Sequence, residues 1–177
     1  YYGISKRDLY YQLQALKESK KIRFNYVIMN NLYGIRDNFD IENGHVIPAL
    51  IHKCYLSKKF NKKFKELGKI DDKRNFLNSM DAARALIMIA KKYNEDLINL
   101  GSNNEISIKH LANLIMKISN NNNDILWEKI STKAVKKRQL DLKKLSKLNF
   151  KEEYTIEKGI EETYFWFEKY QKNKTTI

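Results

Sequence analysis

Apolar residues recur along the chain at two periods, and the switches between them outline an alternation of helices and strands. From Gly3 to Lys20 the spacing is helical, with Leu9, Leu13 and Leu16 on one stripe. Phe24–Met29 is a β-rich apolar run that predicts a strand, and Asn30–Gly44, rich in Asn, Asp and Gly, predicts a long loop at its carboxyl end. A helix follows from about Val46 to Lys59. Ile47, Leu50, Ile51 and Cys54 share one face of it, and Pro48 is tolerated because it falls in the first turn. Phe64–Leu67 predicts a short strand, Met80–Lys92 a strong helix, and Leu97–Leu100 before Gly101 a buried strand. Ser107 reads as the cap of a helix carrying Ile108, Leu111, Leu114, Ile115 and Ile118, which the Asn120–Asn123 run ends. Ile125–Trp127 predicts a strand, and Thr155 caps a last helix with Ile156, Ile160, Tyr164 and Phe167 inward. Strands alternating with helices predict an α/β architecture.

Composition narrows this picture. The 177 residues are 42% hydrophobic and 12% aromatic, enough for a real core. No apolar run approaches the length of a membrane span, so no membrane partner is expected. A single cysteine excludes a disulfide framework and points to a reducing, cytoplasmic setting. Lys and Arg outnumber Asp and Glu by 34 to 21, a formal charge of +13 that raises the question of a nucleic-acid partner. The excess is nearly all lysine, 28 Lys against 6 Arg, in a chain also rich in Asn, Ile and Tyr. These four residues share A/T-rich codons, so coding bias accounts for much of the charge, and a nucleic-acid partner is not expected. The basic-aromatic stretch Ser57–Lys65 reads as a solvated face on the same ground. The chain starts at Tyr1 rather than Met, which predicts a longer parent product.

The candidate chemistry begins with what is missing. The glycines stand at 3, 34, 44, 68, 101 and 159, so neither a dinucleotide fingerprint nor a Walker loop fits. No second pair completes a zinc site around His45, His52 and Cys54, so no metal is expected, and Cys54 reads as a core residue. Tyr2 and Lys6 are one helical turn apart on one face. An ammonium near a phenol favours the phenolate, and a tyrosine so placed can donate a proton to a carbonyl under reduction.

After one helix and one strand come Asn31-Leu32-Tyr33-Gly34, Asp37-Asn38-Phe39 and His45-Val46-Ile47-Pro48-Ala49-Leu50-Ile51. In this order, with the Tyr-x-x-x-Lys pair ahead, the sequence resembles the GDP-L-fucose synthases, members of the extended short-chain dehydrogenases/reductases. The likeness continues through Arg74-Asn75-Phe76-Leu77, Ile98-Asn99-Leu100-Gly101, Ser107–Leu114, Arg138–Asp141 and Glu161–Phe167, and is strongest over residues 2–51.

The resemblance implies the carboxyl-terminal part of a Rossmann-like fold (1–36 and 73–105) with a small α/β substrate domain (37–72 and 106–177). It implies NADPH-dependent epimerisation and reduction of GDP-4-keto-6-deoxy-D-mannose by the full-length parent. Tyr2 would be the proton donor, Lys6 its partner and a contact to the nicotinamide ribose, and His45 an acid/base near the cofactor in the epimerisations. Met29, Asn30, Asn31 and Leu32 would line the nicotinamide end of NADP. Lys53, Leu67, Arg74 and Arg138 would hold the GDP-sugar. Lys53 stands where the family usually has Arg, Leu67 where it has an aromatic, and Met29 and Asn30 where it has Pro and Thr. The family's Gly-rich loop, catalytic Ser and catalytic Cys precede Tyr2, so the missing amino-terminal half is an implied partner, and a homodimer is implied too. A sister nucleotide-sugar epimerase or reductase, an inactive remnant and a basic nucleic-acid module are the alternatives.

Overall fold

A computed structural model describes residues 1–20, 22–67, 72–94, 97–128 and 140–174, apart from the side chains of Lys65, Leu67 and Glu128. The elements run α1 (Tyr2–Lys20), β1 (Tyr26–Met29), β2 (Asn31–Tyr33), α2 (Val46–Phe60), β3 (Phe64–Leu67), β4 (Lys73–Asn78), α3 (Ser79–Lys92), β5 (Leu97–Leu100), β6 (Glu105–Ser107), α4 (Ile108–Ser119), β7 (Ile125–Glu128), α5 (Lys143–Ser146) and α6 (Ile156–Lys174). The α/β expectation holds. Residues 30–44 are not loop throughout, because Asn31–Tyr33 form β2; β4, β6 and α5 are also additional to the sequence reading.

Local chemistry sets the helix ends. Ser107 accepts from the His110 N–H, Asn78 from Met80 and Thr155 from Lys158, each quenching an orphan donor of a first turn. Asn61 and Asn120 end α2 and α4 in the left-handed conformation, which asparagine tolerates.

The strand that follows α1 changes partner along its length. β1 pairs in parallel with β5 (Met29 opposite Leu100), and β2 pairs in parallel with β4 (Asn31 opposite Phe76). β4 pairs antiparallel with β6, and β3 forms a separate parallel pair with β7. Two cores form around these strands. In one, Ile47, Leu50 and Ile51 of α2 meet Leu111 and Ile115 of α4 and Ile160, Tyr164 and Phe167 of α6, over Tyr33 and Phe76. In the other, Ala82, Ala85 and Ile89 of α3 pack with Leu77, Ile98, Leu100 and Leu145. Cys54 lies in the first core at 1% exposure, its thiol pushed up by burial, in keeping with a packing role. α1 buries no residue; Leu9 and Leu16 of its stripe are exposed. No helix among the described residues is long and apolar enough to cross a membrane.

The fully buried Asp81, in the first turn of α3, joins this helix to the segment before α6. It accepts from the backbone N–H groups of Glu153 and Tyr154 at 3.0–3.1 Å and from the Arg84 guanidinium. Removing the carboxylate leaves buried donors without an acceptor. Asp81→Ala is therefore expected to destabilise the chain by about 3 kcal/mol in urea unfolding, and a change below about 0.5 kcal/mol, the range of ordinary surface substitutions, would contradict that role.

Candidate active site

The change of partner falls at the carboxyl end of the β1–β5 pair, the place where open α/β sheets take ligands. Asn30, the residue between β1 and β2, donates its N–H to Leu100 O at 2.9 Å. Its Oδ1 accepts from the Asn31 N–H at 2.8 Å and from Asn31 Nδ2 at 3.2 Å, and Asn31 Nδ2 also donates to Asn75 O at 3.0 Å. Gly101, just past β5, backs directly on Asn30, where a Cβ would come within 2.9 Å of the Asn30 Cβ. Asn30 and Asn31 thus form a polar hub between the two strand pairs. Met29 precedes it at 47% exposure, and Leu32 turns inward against the α3 core.

Tyr2 and Lys6 share a face of α1, with Lys6 Nζ 5.4 Å from the centre of the Tyr2 ring. Tyr10 packs edge-on against Phe24 and Tyr26, and Tyr26 Oη donates to Lys6 O at 2.6 Å. These contacts hold the middle of α1 against Phe24 and Tyr26, at the amino end of β1. Tyr2, in the first turn, is 78% exposed.

His45 is delivered by a tightly wound loop. The Asp40 carboxylate accepts from the N–H groups of Asn43 and Glu42, bonds that hold it below its ordinary range. A Cβ on Gly44 would strike Asp40 O at 2.3 Å, so only glycine closes this turn. Phe39 anchors the loop by stacking on Phe167 at 4.3 Å and accepting from His52 Nδ1 through its carbonyl. His45 occupies the cap position of α2 without a side-chain capping bond. Its ring is open to solvent, 3.9 Å from Asp37 Oδ1.

The cations expected at a diphosphate are already occupied. Lys53 Nζ donates to Glu66 Oε2 at 2.7 Å, and Arg74 Nη2 to Asp72 Oδ2 at 3.1 Å. Asp72, two residues from Arg74, is visible as a partner in the sequence; Glu66, thirteen residues from Lys53, becomes one only through the packing of β3 on α2. Arg138 and the Leu67 side chain lie outside the described residues. Among the described residues no group of three His, Cys, Asp or Glu is placed to hold a metal ion.

A separate cleft of about 290 Å³ opens between β4, β6 and the start of α6, lined by Tyr33, Asn78, Ser102, His110, Glu152 and Tyr154 among others. None of these was among the expected site residues. Burial pushes the Tyr33 hydroxyl far above the ordinary tyrosine range, against a hydrogen bond from Asn78 that lowers it. Burial also raises the Glu152 carboxyl, with Asp81 adding repulsion and the Ser102 hydroxyl opposing both.

Residues 1–101 match the NAD dependent epimerase/dehydratase family. The chain is 30% identical over 171 residues to a GDP-L-fucose synthase of Sinorhizobium fredii, covering 93% of this chain and 53% of the relative. It is 31% identical over 170 residues to a GDP-L-fucose synthase of Dictyostelium discoideum, covering 94% and 53%. The solved structure of a GDP-L-fucose synthetase from Naegleria fowleri bound to NADP superposes with a TM-score of 0.83 at 32% identity, over 92% of this chain and 52% of that one. A UDP-glucose 4-epimerase from Thermotoga maritima shares the fold, with a TM-score of 0.84 at 19% identity over 96% of this chain and 54% of that one. The chain spans about half the length of the curated relatives it matches.

The cleft yields a pH test. A carboxyl raised by burial costs stability while it is ionised and costs nothing once protonated in both states. Glu152→Gln should therefore raise the thermal midpoint near neutrality, and the two melting curves should converge below the ordinary carboxyl range. A gain that persists in acid would show that charge is not its cause.

Proposed function

The chain belongs to the NAD dependent epimerase/dehydratase family, and from that premise we propose that it is the carboxyl-terminal portion of an NADPH-dependent enzyme that converts GDP-4-keto-6-deoxy-D-mannose to GDP-L-fucose. The observation that carries the reading is the Tyr2–Lys6 pair, presented on one face of α1 and tied to β1 through the Tyr26 hydroxyl.

In this reading Tyr2 protonates the sugar oxygen as the C4 carbonyl is reduced, and Lys6 makes the phenol a better donor while binding the ribose hydroxyls. His45 moves protons on and off the carbons beside the ketone, a task suited to imidazole near neutrality. NADPH supplies the hydride when bound. The residues present fit one end of it: exposed Met29 offers an apolar surface next to the Asn30–Asn31 hub, and Lys6 lies one turn from Tyr2. A pyrophosphate cradle has no counterpart in the glycine spacing. Lys53 and Arg74, with Arg138, bind the diphosphate.

The site is completed by a further segment of the fold. A two-stranded parallel sheet with Ile28 and Met29 exposed, beside a helix that leaves Ile4, Leu9 and Leu16 uncovered, is an element built to be covered. The segments 1–36 and 73–105 belong to the nucleotide-binding domain, and 37–72 and 106–177 to the substrate domain. A second reading, a sister nucleotide-sugar epimerase or reductase, is favoured by the Glu66 carboxylate at Lys53 and by Leu67 in place of an aromatic. Product analysis with GDP-, UDP- and dTDP-sugars separates the two.

Residues 1–177 alone should be inactive and should not saturate with NADPH in a fluorescence titration at micromolar concentrations; micromolar affinity would overturn the incomplete-site reading. In the complete enzyme Tyr2→Phe should slow reduction by about a hundredfold or more, the scale of a lost general acid, while solvent hydrogen exchange at the epimerised carbons continues. Reduction at the wild-type rate would remove Tyr2 from the chemistry.

A further inference from the structure

We propose that Glu66 is an internal competitor for the diphosphate site: its carboxylate occupies the Lys53 ammonium, and the nucleotide diphosphate binds there only by displacing it. The proposal deepens the functional reading above and rests on its assignment of Lys53. The two side chains come from different elements, Lys53 from α2 and Glu66 from β3, and meet at 2.7 Å. They are only 18% and 12% exposed, so solvent screens the contact little, and the bond has the short geometry of a charge-assisted pair. A ligand approaching Lys53 therefore meets a neutral dipole and not a free cation.

The second cation assigned to the diphosphate is held in the same way. Arg74 pairs with Asp72 at 3.1 Å, the side chains 24% and 15% exposed. In a chain carrying +13, the two described cations assigned to an anion are both neutralised internally. The pairs differ in what binding must do to them. The Arg74 guanidinium has five donors and reaches both Asp72 and Lys73 O, so it can keep its carboxylate and still engage a phosphate oxygen. Lys53 carries a compact ammonium in a half-buried site, where a phosphate oxygen must take the position that Glu66 Oε2 holds. Exchanging one charge-assisted bond for another leaves only their difference as affinity. Glu66 thereby sets a threshold: anions that offer Lys53 no more than a carboxylate does are refused.

The test is isothermal titration of GDP, with guanosine as the uncharged control, into residues 1–177 as wild type, Glu66→Gln, Lys53→Met and the double variant. Thermal melts establish that each form is folded. Glu66→Gln should bind GDP about tenfold tighter than wild type, the scale of one charge-assisted hydrogen bond. The gain should vanish when Lys53→Met is added and should be absent for guanosine. If Glu66→Gln does not fold, Glu66→Asp, whose carboxylate is one methylene shorter, should show a smaller gain in the same direction. Wild-type GDP binding that is unchanged or weakened in the Glu66 variants, or an equal gain for guanosine, would overturn the competitor while leaving the diphosphate site intact. GDP binding by none of the folded forms would overturn both.

Discussion

The hydrogen bond from the Asn30 N–H to Leu100 O is the last rung that the first long strand shares with β5 before it turns to β4. A strand that changes neighbours must leave some backbone groups without a ladder, and buried backbone groups require partners. Here two asparagine side chains supply them, Asn30 to the Asn31 N–H and Asn31 to Asn75 O, while Gly101 yields the space that lets the strands part so closely. The consequences spread from this fork. The α3 core forms on one side and the α2–α4–α6 core on the other, and Phe76 and Leu77, adjacent on β4, contribute to opposite ones. The sheet divides at this point, and exposed Met29 stands at the fork beside the asparagine pair.

Electrostatics in this molecule are more local than its net charge suggests. Lys53 and Arg74, two of the less exposed cations, spend their charge on neighbouring carboxylates. The fully buried Asp81 works in the opposite sense, an anion held by two backbone N–H groups and one guanidinium so that a loop and a helix keep their register. Coding bias can add lysines to the surface freely; it cannot place them at 2.7 Å from a half-buried acid.

Much of the scaffold is legible in the sequence because its signals are local. Helices α2, α3, α4 and α6 carry apolar stripes, the last two behind a Ser or Thr cap, and β5 is a short apolar run, broken only by Asn99, before a glycine. The elements that escape are those made by tertiary pairing. β2 and β6 have three residues each, too few for any periodicity, and β4 reads as Lys-Arg-Asn-Phe-Leu-Asn, polar at four of six positions. Its Asn75 and Asn78 are buried nonetheless, Asn78 as the cap of α3. For the site, the Tyr2–Lys6 spacing is visible because a helix fixes it. The Lys53–Glu66 contact is not, since it depends on how a strand packs across a helix. The stripe on α1 is correctly periodic yet exposed, because periodicity reports which face is apolar and not what covers it.

Among the described residues four that are not glycine adopt the left-handed backbone conformation, and three of them are asparagines: Asn61, Asn120 and Asn149. Two of these end helices at positions where glycine is the commonest choice. The chain has only six glycines and nineteen asparagines. A coding bias that favours asparagine over glycine would cost the backbone little at this class of site, since asparagine tolerates the left-handed conformation. Asparagine does here the punctuation that glycine does in other chains, ending α2 and α4 without a glycine.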